Sequence, residues 1–191
     1  MMKELVRKNR SYRRFYQEKA IEMETLRDLV DLARLCPCGR NMQGLKYMLF
    51  NDKESNLKIS ENLFWEGYLK DWNGPEEGER PSAYIVMLRD KSLGSIPQDE
   101  GIALQTMLLG AVEQGLGGCV LGNINRVQLK EYLNLGDKYE LAYVLALGYP
   151  KEEVIIEEMK EDGEVKYWHD ENDANHGPKR SLDDLIVNNI R

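Results

Sequence analysis

Apolar residues recur along this chain with two different periods, and the switches between them mark out its elements. From Glu22 to Leu35 the residues Met23, Leu26, Leu29, Val30, Leu32 and Ala33 fall three and four apart. That spacing predicts an amphipathic helix, stopped by Pro37. Cys36 to Gly44 reads as a loop, and Tyr47-Met48-Leu49-Phe50 as a buried strand ended by Asn51-Asp52. Residues 54 to 72 read as mostly helical and carry Leu57, Ile59, Leu63, Phe64, Trp65, Tyr68, Leu69 and Trp72 before Gly74-Pro75 ends the run. Ala83 to Leu88 predicts a strand. Asp99 to Gln114 predicts a long helix, apolar nearly all round and therefore central. Gly115-Leu116-Gly117-Gly118 breaks it, ahead of a short strand at Cys119-Val120-Leu121 and a helix from about Val127 to Leu133. Leu141 to Leu147 is continuously apolar, the mark of an interior strand.

Beyond Pro150 the character changes. Acids crowd Glu152 to Glu164, and little periodicity returns until Ser181, whose hydroxyl is suited to cap a final short helix. A patternless tail of about thirty residues is unusual inside a compact domain, so residues 151–191 are expected to form an arm along a neighbouring subunit. No repeat or linker divides the chain, which predicts a single domain over residues 1–191. Helices and short strands alternate only loosely, and this favours an α+β layer structure around a mixed sheet.

Composition narrows the class. With 191 residues, 42% hydrophobic and 31% charged, the chain suits one globular domain. No apolar stretch approaches the roughly 18 residues that span a bilayer, and the start lacks the pattern of a secretory signal. Three cysteines, an odd number, fit a reducing cytoplasm. The net charge of -7 argues against nucleic acid as a partner. Yet Lys3, Arg7, Lys8, Arg10, Arg13 and Arg14 face only Glu4 in the first fourteen residues, a local cationic patch suited to one small anion.

Several chemistries fail on spacing. After Gly115 and Gly117 the third glycine of a dinucleotide fingerprint would fall at Val120, and the segment follows a helix where that motif follows a strand. No phosphate loop ends in Gly-Lys-Ser or Gly-Lys-Thr. Cys36-Pro37-Cys38 has no second ligand pair, and His169 and His176 lie in the polar tail, so no metal is expected. Cys119 reads as a small buried apolar residue.

Three other segments carry usable groups. Arg10-Ser11-Tyr12-Arg13-Arg14-Phe15 offers guanidinium forks that match phosphate in a bidentate way. Asn41-Met42-Gln43 offers carboxamides, which donate and accept as the uracil-like edge of a flavin requires. Pro178-Lys179-Arg180 sets two cations before the capped helix. Taken singly, these are a solvated basic turn, turn chemistry and a charged terminus.

Their order resembles that of the nitroreductase family of FMN proteins. Arg10-Ser11-Tyr12-Arg13-Arg14-Phe15 is similar to the family's Arg-Ser-x-Arg-x-Phe signature, and Pro37-Cys38-Gly39-Arg40-Asn41-Met42-Gln43 to its Pro-Ser-x-x-Asn-x-Gln loop. Gly115-Leu116-Gly117 through Leu121-Gly122 resembles its Gly-Leu-Gly segment, Leu147-Gly148-Tyr149-Pro150 the end of a core strand, and Lys179-Arg180 its C-terminal basic pair. Asn9, Cys38 and Gly44 depart from the family's arginine, serine and proline.

The resemblance implies a three-layer α/β/α fold with a mixed, mainly antiparallel sheet, and a homodimer whose C-terminal arm crosses to the partner. It implies FMN at the subunit interface, bound by Arg10, Ser11, Tyr12, Arg13, Lys179 and Arg180 from one chain, with the backbone near Leu121 and Gly122 against the ring. Pro37, Cys38, Asn41 and Gln43 would reach the flavin from the other chain. The implied activity is ping-pong electron transfer from NAD(P)H to a nitroaromatic, quinone or similar acceptor, with Phe64, Trp65 and Tyr68 lining the acceptor slot. No catalytic side chain is implied, because the flavin carries the chemistry. The alternative from another class is a flavin-binding carrier or sensor without turnover.

Overall fold

The computed structural model describes residues 1–65, 67–68, 72–161, 163–172 and 174–187. The interior strand expected at Leu141–Leu147 lies at its centre as β4 (Tyr139–Gly148), paired on one side with β2 (Ala83–Asp90) and on the other with β3 (Gly117–Leu121). β1 (Leu45–Phe50) completes a four-stranded sheet in the order β1-β2-β4-β3, antiparallel throughout. Each connection between consecutive strands of this sheet runs through a helix.

Because side chains alternate across a strand, β2 sends Ala83, Ile85 and Met87 to one face and Tyr84, Val86 and Leu88 to the other. The register shifts between Met87 and Leu88, where β4 carries one extra residue, Ala142, between the partners Leu141 and Tyr143; at this bulge the neighbours Ala142 and Tyr143 pack on the same face. On the first face pack α2 (Met23–Arg34), through Leu26, Leu29 and Ala33, and α4 (Pro97–Glu113), through Leu104, Met107 and Ala111. On the second lie Ile59 of α3 (Lys53–Ser60) and Leu129 of α5 (Arg126–Tyr132). Helices therefore cover both faces, giving the three α/β/α layers.

Local chemistry sets the helix ends. Asp52 Oδ1 accepts from Ser55 N at 2.9 Å to start α3, and Asn125 Oδ1 accepts from Gln128 N at 3.3 Å to start α5. α4 stops at Gly115, whose φ of 75° ordinary side chains avoid; Leu116 N then donates back to Ala111 O at 2.8 Å.

Two expectations need correction, and one element was not read from the sequence. The helix read over residues 54 to 72 ends at Ser60, and Leu63 instead forms a bridge with Ile124. Its aromatic residues served the core or the surface of a loop rather than one helical face; Leu69 lies outside the described residues. A short helix α1 (Met2–Lys8), with no buried residue, was hidden because it has no apolar stripe to read. The tail is not patternless either. β5 (Val154–Glu158) pairs in parallel with β7 (Asn175–Lys179), and β6 (Trp168–His169) joins β7 antiparallel. Ser181 Oγ accepts from Asp184 N at 3.2 Å and caps α6 (Leu182–Leu185), as expected.

Candidate functional site

Residues 11–16 are held along the open edge of β3 and the end of β4. Tyr12 N donates to Gly118 O at 3.1 Å, Tyr16 N to Tyr149 O at 2.9 Å and Lys151 N to Arg14 O at 3.0 Å. Phe15, fully buried, fastens this segment to the core. The anchoring sets Arg10, Ser11 and Arg13 around a cavity of about 190 Å³, closed by Val154–Ile156, Tyr167, Asn175, Gly177 and Lys179 of the C-terminal sheet. Cations from opposite ends of the chain thus line one hollow, and among the described residues no carboxylate lines it with them.

Arg10 donates from Nη2 to Val6 O at 2.8 Å, while its buried Nε finds no partner among the described residues. A buried donor left unmatched is costly, and a phosphate oxygen would satisfy it. Arg13, half-buried, donates to Ser11 O at 3.3 Å and sits 4.7 Å from the ring centre of Tyr167. Beneath it, Glu152 accepts from the backbone N–H groups of Arg13 and Arg14. Burial raises the Glu152 carboxyl above its usual range, opposed by those two N–H groups and the nearby guanidinium charges. Tyr12 does not line the cavity; its hydroxyl donates to Lys8 O at 3.0 Å, and burial foremost raises its pKa. Arg180 is exposed beside Lys179, outside the lining.

The loop after α2 forms a second group. It makes one 3₁₀ turn, Gly39–Asn41, and holds Arg40, Asn41 and Gln43 at φ of 52°, 55° and 53°. Three side-chain-bearing residues in the left-handed region within four positions is strain, and strain persists only where neighbours enforce it. Here Asp99 does so: Oδ1 accepts from Gly39 N at 2.8 Å and Oδ2 from Ile96 N at 3.3 Å. Pro37, Cys38 and Gln43 line a separate cavity of about 250 Å³ with Val30, Arg34, Tyr47 and Asp99, and none of them reaches the cationic hollow.

Gly44 closes that loop. Its carbonyl accepts from Asp90 N at 2.8 Å, and a Cβ there would run into the carbonyl oxygen of Gly94. Backbone cannot yield as a side chain can, so Gly44→Ala should lower stability by about 1–3 kcal/mol, the usual range for overpacking. Urea unfolding of the variant checks it, and an unchanged midpoint would show the loop to be pliant.

Leu121 is buried at the end of β3 and Gly122 is exposed beyond it. Phe64 is brought to the same place, its N–H donating to Asn123 O at 3.1 Å. Phe64 and Tyr68 are 44% and 49% exposed, whereas Trp65 is 5% exposed, packed in the core beside Trp72. The structure therefore presents two of the three expected acceptor-lining rings and withdraws the third.

The nitroreductase family model matches residues 6–77 and 78–149. The chain belongs to the nitroreductase family. An Archaeoglobus fulgidus protein named as an NADH dehydrogenase/NAD(P)H nitroreductase is 29% identical over 149 residues, 73% of this chain and 80% of that relative. A Clostridium acetobutylicum structure named as an NADH oxidase is 27% identical with a TM-score of 0.63, covering 77% of this chain and 87% of that one. A nitroreductase structure from Desulfovibrio desulfuricans in complex with FMN aligns over 98% of this chain and 96% of that one, with a TM-score of 0.69; at 21% identity it shows the shared fold. Membership makes this chain an oxidoreductase of the nitroreductase type.

Burial pushes the Cys119 thiol up to about 11, far from a thiolate, and all three cysteines are free. Two residues of the site were missed in the sequence. Asp99 could have been read as a helix-start carboxylate two residues after Pro97. Tyr167 had no signal of its own, being one of two adjacent aromatics, Tyr167-Trp168, in the acidic tail.

Proposed function

We propose that this chain binds FMN in the cationic hollow and works as a homodimeric NAD(P)H-dependent oxidoreductase. The observation that carries the reading is the meeting of Arg10 and Arg13 with Lys179 around one cavity, with the Arg10 Nε still unmatched. The donor set fits a phosphate monoester: guanidinium forks, an ammonium and the Ser11 hydroxyl, with Arg180 adding charge from outside the lining. Bound there, FMN would supply the redox chemistry that carries electrons from NAD(P)H in a ping-pong cycle to a nitroaromatic, quinone or similar acceptor.

The chain's own residues bind and orient. The backbone near Leu121 and Gly122 admits the ring, and Phe64 and Tyr68 give an acceptor an aromatic surface to stack on. Pro37, Cys38, Asn41 and Gln43 would serve the partner's flavin, with the Asn41 and Gln43 carboxamides meeting its polar edge. Supporting this division, the two groups of residues line separate cavities within one chain. A second copy is also favoured by the apolar surface left bare: Ile102 of α4 is 39% exposed next to Gly101, whose missing Cβ would meet nothing, and α6 leaves Leu182 and Leu185 uncovered. Free thiols suit a reducing compartment, the cytoplasm.

Freshly purified protein is expected to be yellow and to elute as a dimer, and anaerobic NADPH or NADH is expected to bleach it. A monomer holding stoichiometric FMN would contradict the shared site, and flavin left oxidised by both nucleotides would favour the carrier.

A further inference from the structure

Tyr167 stands where the cationic hollow meets the aromatic segment. Its ring lies under the Arg13 guanidinium, 4.7 Å from centre to Cζ. Its hydroxyl accepts from Tyr68 N at 3.1 Å, across 99 positions of sequence. The ring of Tyr68 meets it edge-on, at 5.2 Å and 60°. At Gly67 any Cβ would strike the same hydroxyl, so the backbone approaches this close only because residue 67 has no side chain. One residue of the C-terminal arm therefore touches both the cation that faces the hollow and the loop that presents Phe64 and Tyr68.

We propose that Tyr167 is a positioning residue for the acceptor: it pins the segment around Tyr68 and ties that pinning to Arg13. This rests on the reading of the hollow as the flavin phosphate site. The two contacts divide the labour. The hydroxyl holds the Tyr68 amide, for which the described residues supply no other acceptor. The ring face holds Arg13 by cation–π attraction, a weaker partner than a phosphate dianion. An anion in the hollow draws the guanidinium from the ring, and Tyr167 passes the change to Tyr68. By linkage, whatever stacks on Tyr68 alters anion affinity by the same factor.

Tyr167→Phe separates the contacts, since it keeps the ring and removes the acceptor. In the apoprotein it should speed hydrogen exchange at the Tyr68 amide. In the loaded enzyme it should raise KM for a nitroaromatic about three- to ten-fold, the worth of one ordinary hydrogen bond, with kcat and the FMN Kd within two-fold of wild type. Tyr167→Ala should raise KM at least as far and also shift the FMN Kd, read by flavin fluorescence. A Tyr167→Phe protein with wild-type KM and wild-type exchange at Tyr68 would overturn the assignment. Wild-type protein that takes up no FMN would instead remove the function it rests on.

Discussion

Phe15→Ala is expected to lower stability by about 3–5 kcal/mol, the range for emptying a fully buried aromatic site. Phe15 is 0% exposed and packs in the cluster formed by Tyr84, Val86, Val144 and Ala146. Its backbone is also committed: Phe15 N donates to Glu79 O at 2.9 Å, and residue 15 bridges Pro150. Gly148 leaves the room for the ring, since a Cβ there would lie 2.6 Å from Cδ1 of Phe15. The surroundings are side chains fixed to the central sheet, which relax only partly into the space. Denaturant unfolding gives the number; a loss below about 1 kcal/mol would mean that the segment is not anchored through this ring. Because the segment carries Arg10 and Arg13, the same variant should also lose FMN affinity without touching a phosphate contact.

Arg13→Ala should weaken FMN binding about ten- to a hundred-fold, as loss of a charge-assisted contact implies. The fold should survive, because the contacts removed are one bond to Ser11 O and the face of Tyr167. Arg180→Ala, from an exposed position outside the lining, should weaken binding only a few-fold. Titration of apoprotein with FMN at fixed salt measures both, and the ranking matters more than either value. Equal effects would make the hollow a diffuse field; no effect from Arg13→Ala would remove it as a phosphate site. Riboflavin, which has no phosphate, should bind wild type and the Arg13 variant alike.

The sequence carried the layers well where burial repeats. α2 and α4 bury residues three and four apart, as a helix face packed on a core must, and β2 and β4 are buried almost continuously because both faces of the sheet are covered. The cap at Ser181 and the break at Gly115 were legible for a local reason, since they depend on one side chain or one φ angle. Elements that bury little were not legible. α1 buries no residue, and β5 and β7 alternate weakly because they form a small sheet whose pairing partner lies some twenty residues away along the chain. The run from residue 54 was misjudged because bulky apolar side chains suit a helix face and a packed loop equally well.

The chemistry divides in the same way. Which residues can meet a phosphate or a carboxamide edge follows from side-chain type, and Arg10, Arg13, Asn41, Gln43 and Lys179 were legible on that basis. Where they stand relative to one another was decided only in three dimensions. Lys179 comes to Arg10 because β7 pairs with β5 and the residues after β4 bond back to Arg14. The Pro37–Gln43 loop is held away from that hollow by Asp99 of α4, and Trp65 turns inward while Phe64 and Tyr68 do not. Tyr167 reaches Arg13 and Tyr68 through contacts between segments far apart in the chain, and no spacing in the sequence encodes such a meeting. Short-range preferences are written residue by residue. Long-range contacts arise from the whole balance of burial and pairing, so they exist only once the chain has folded.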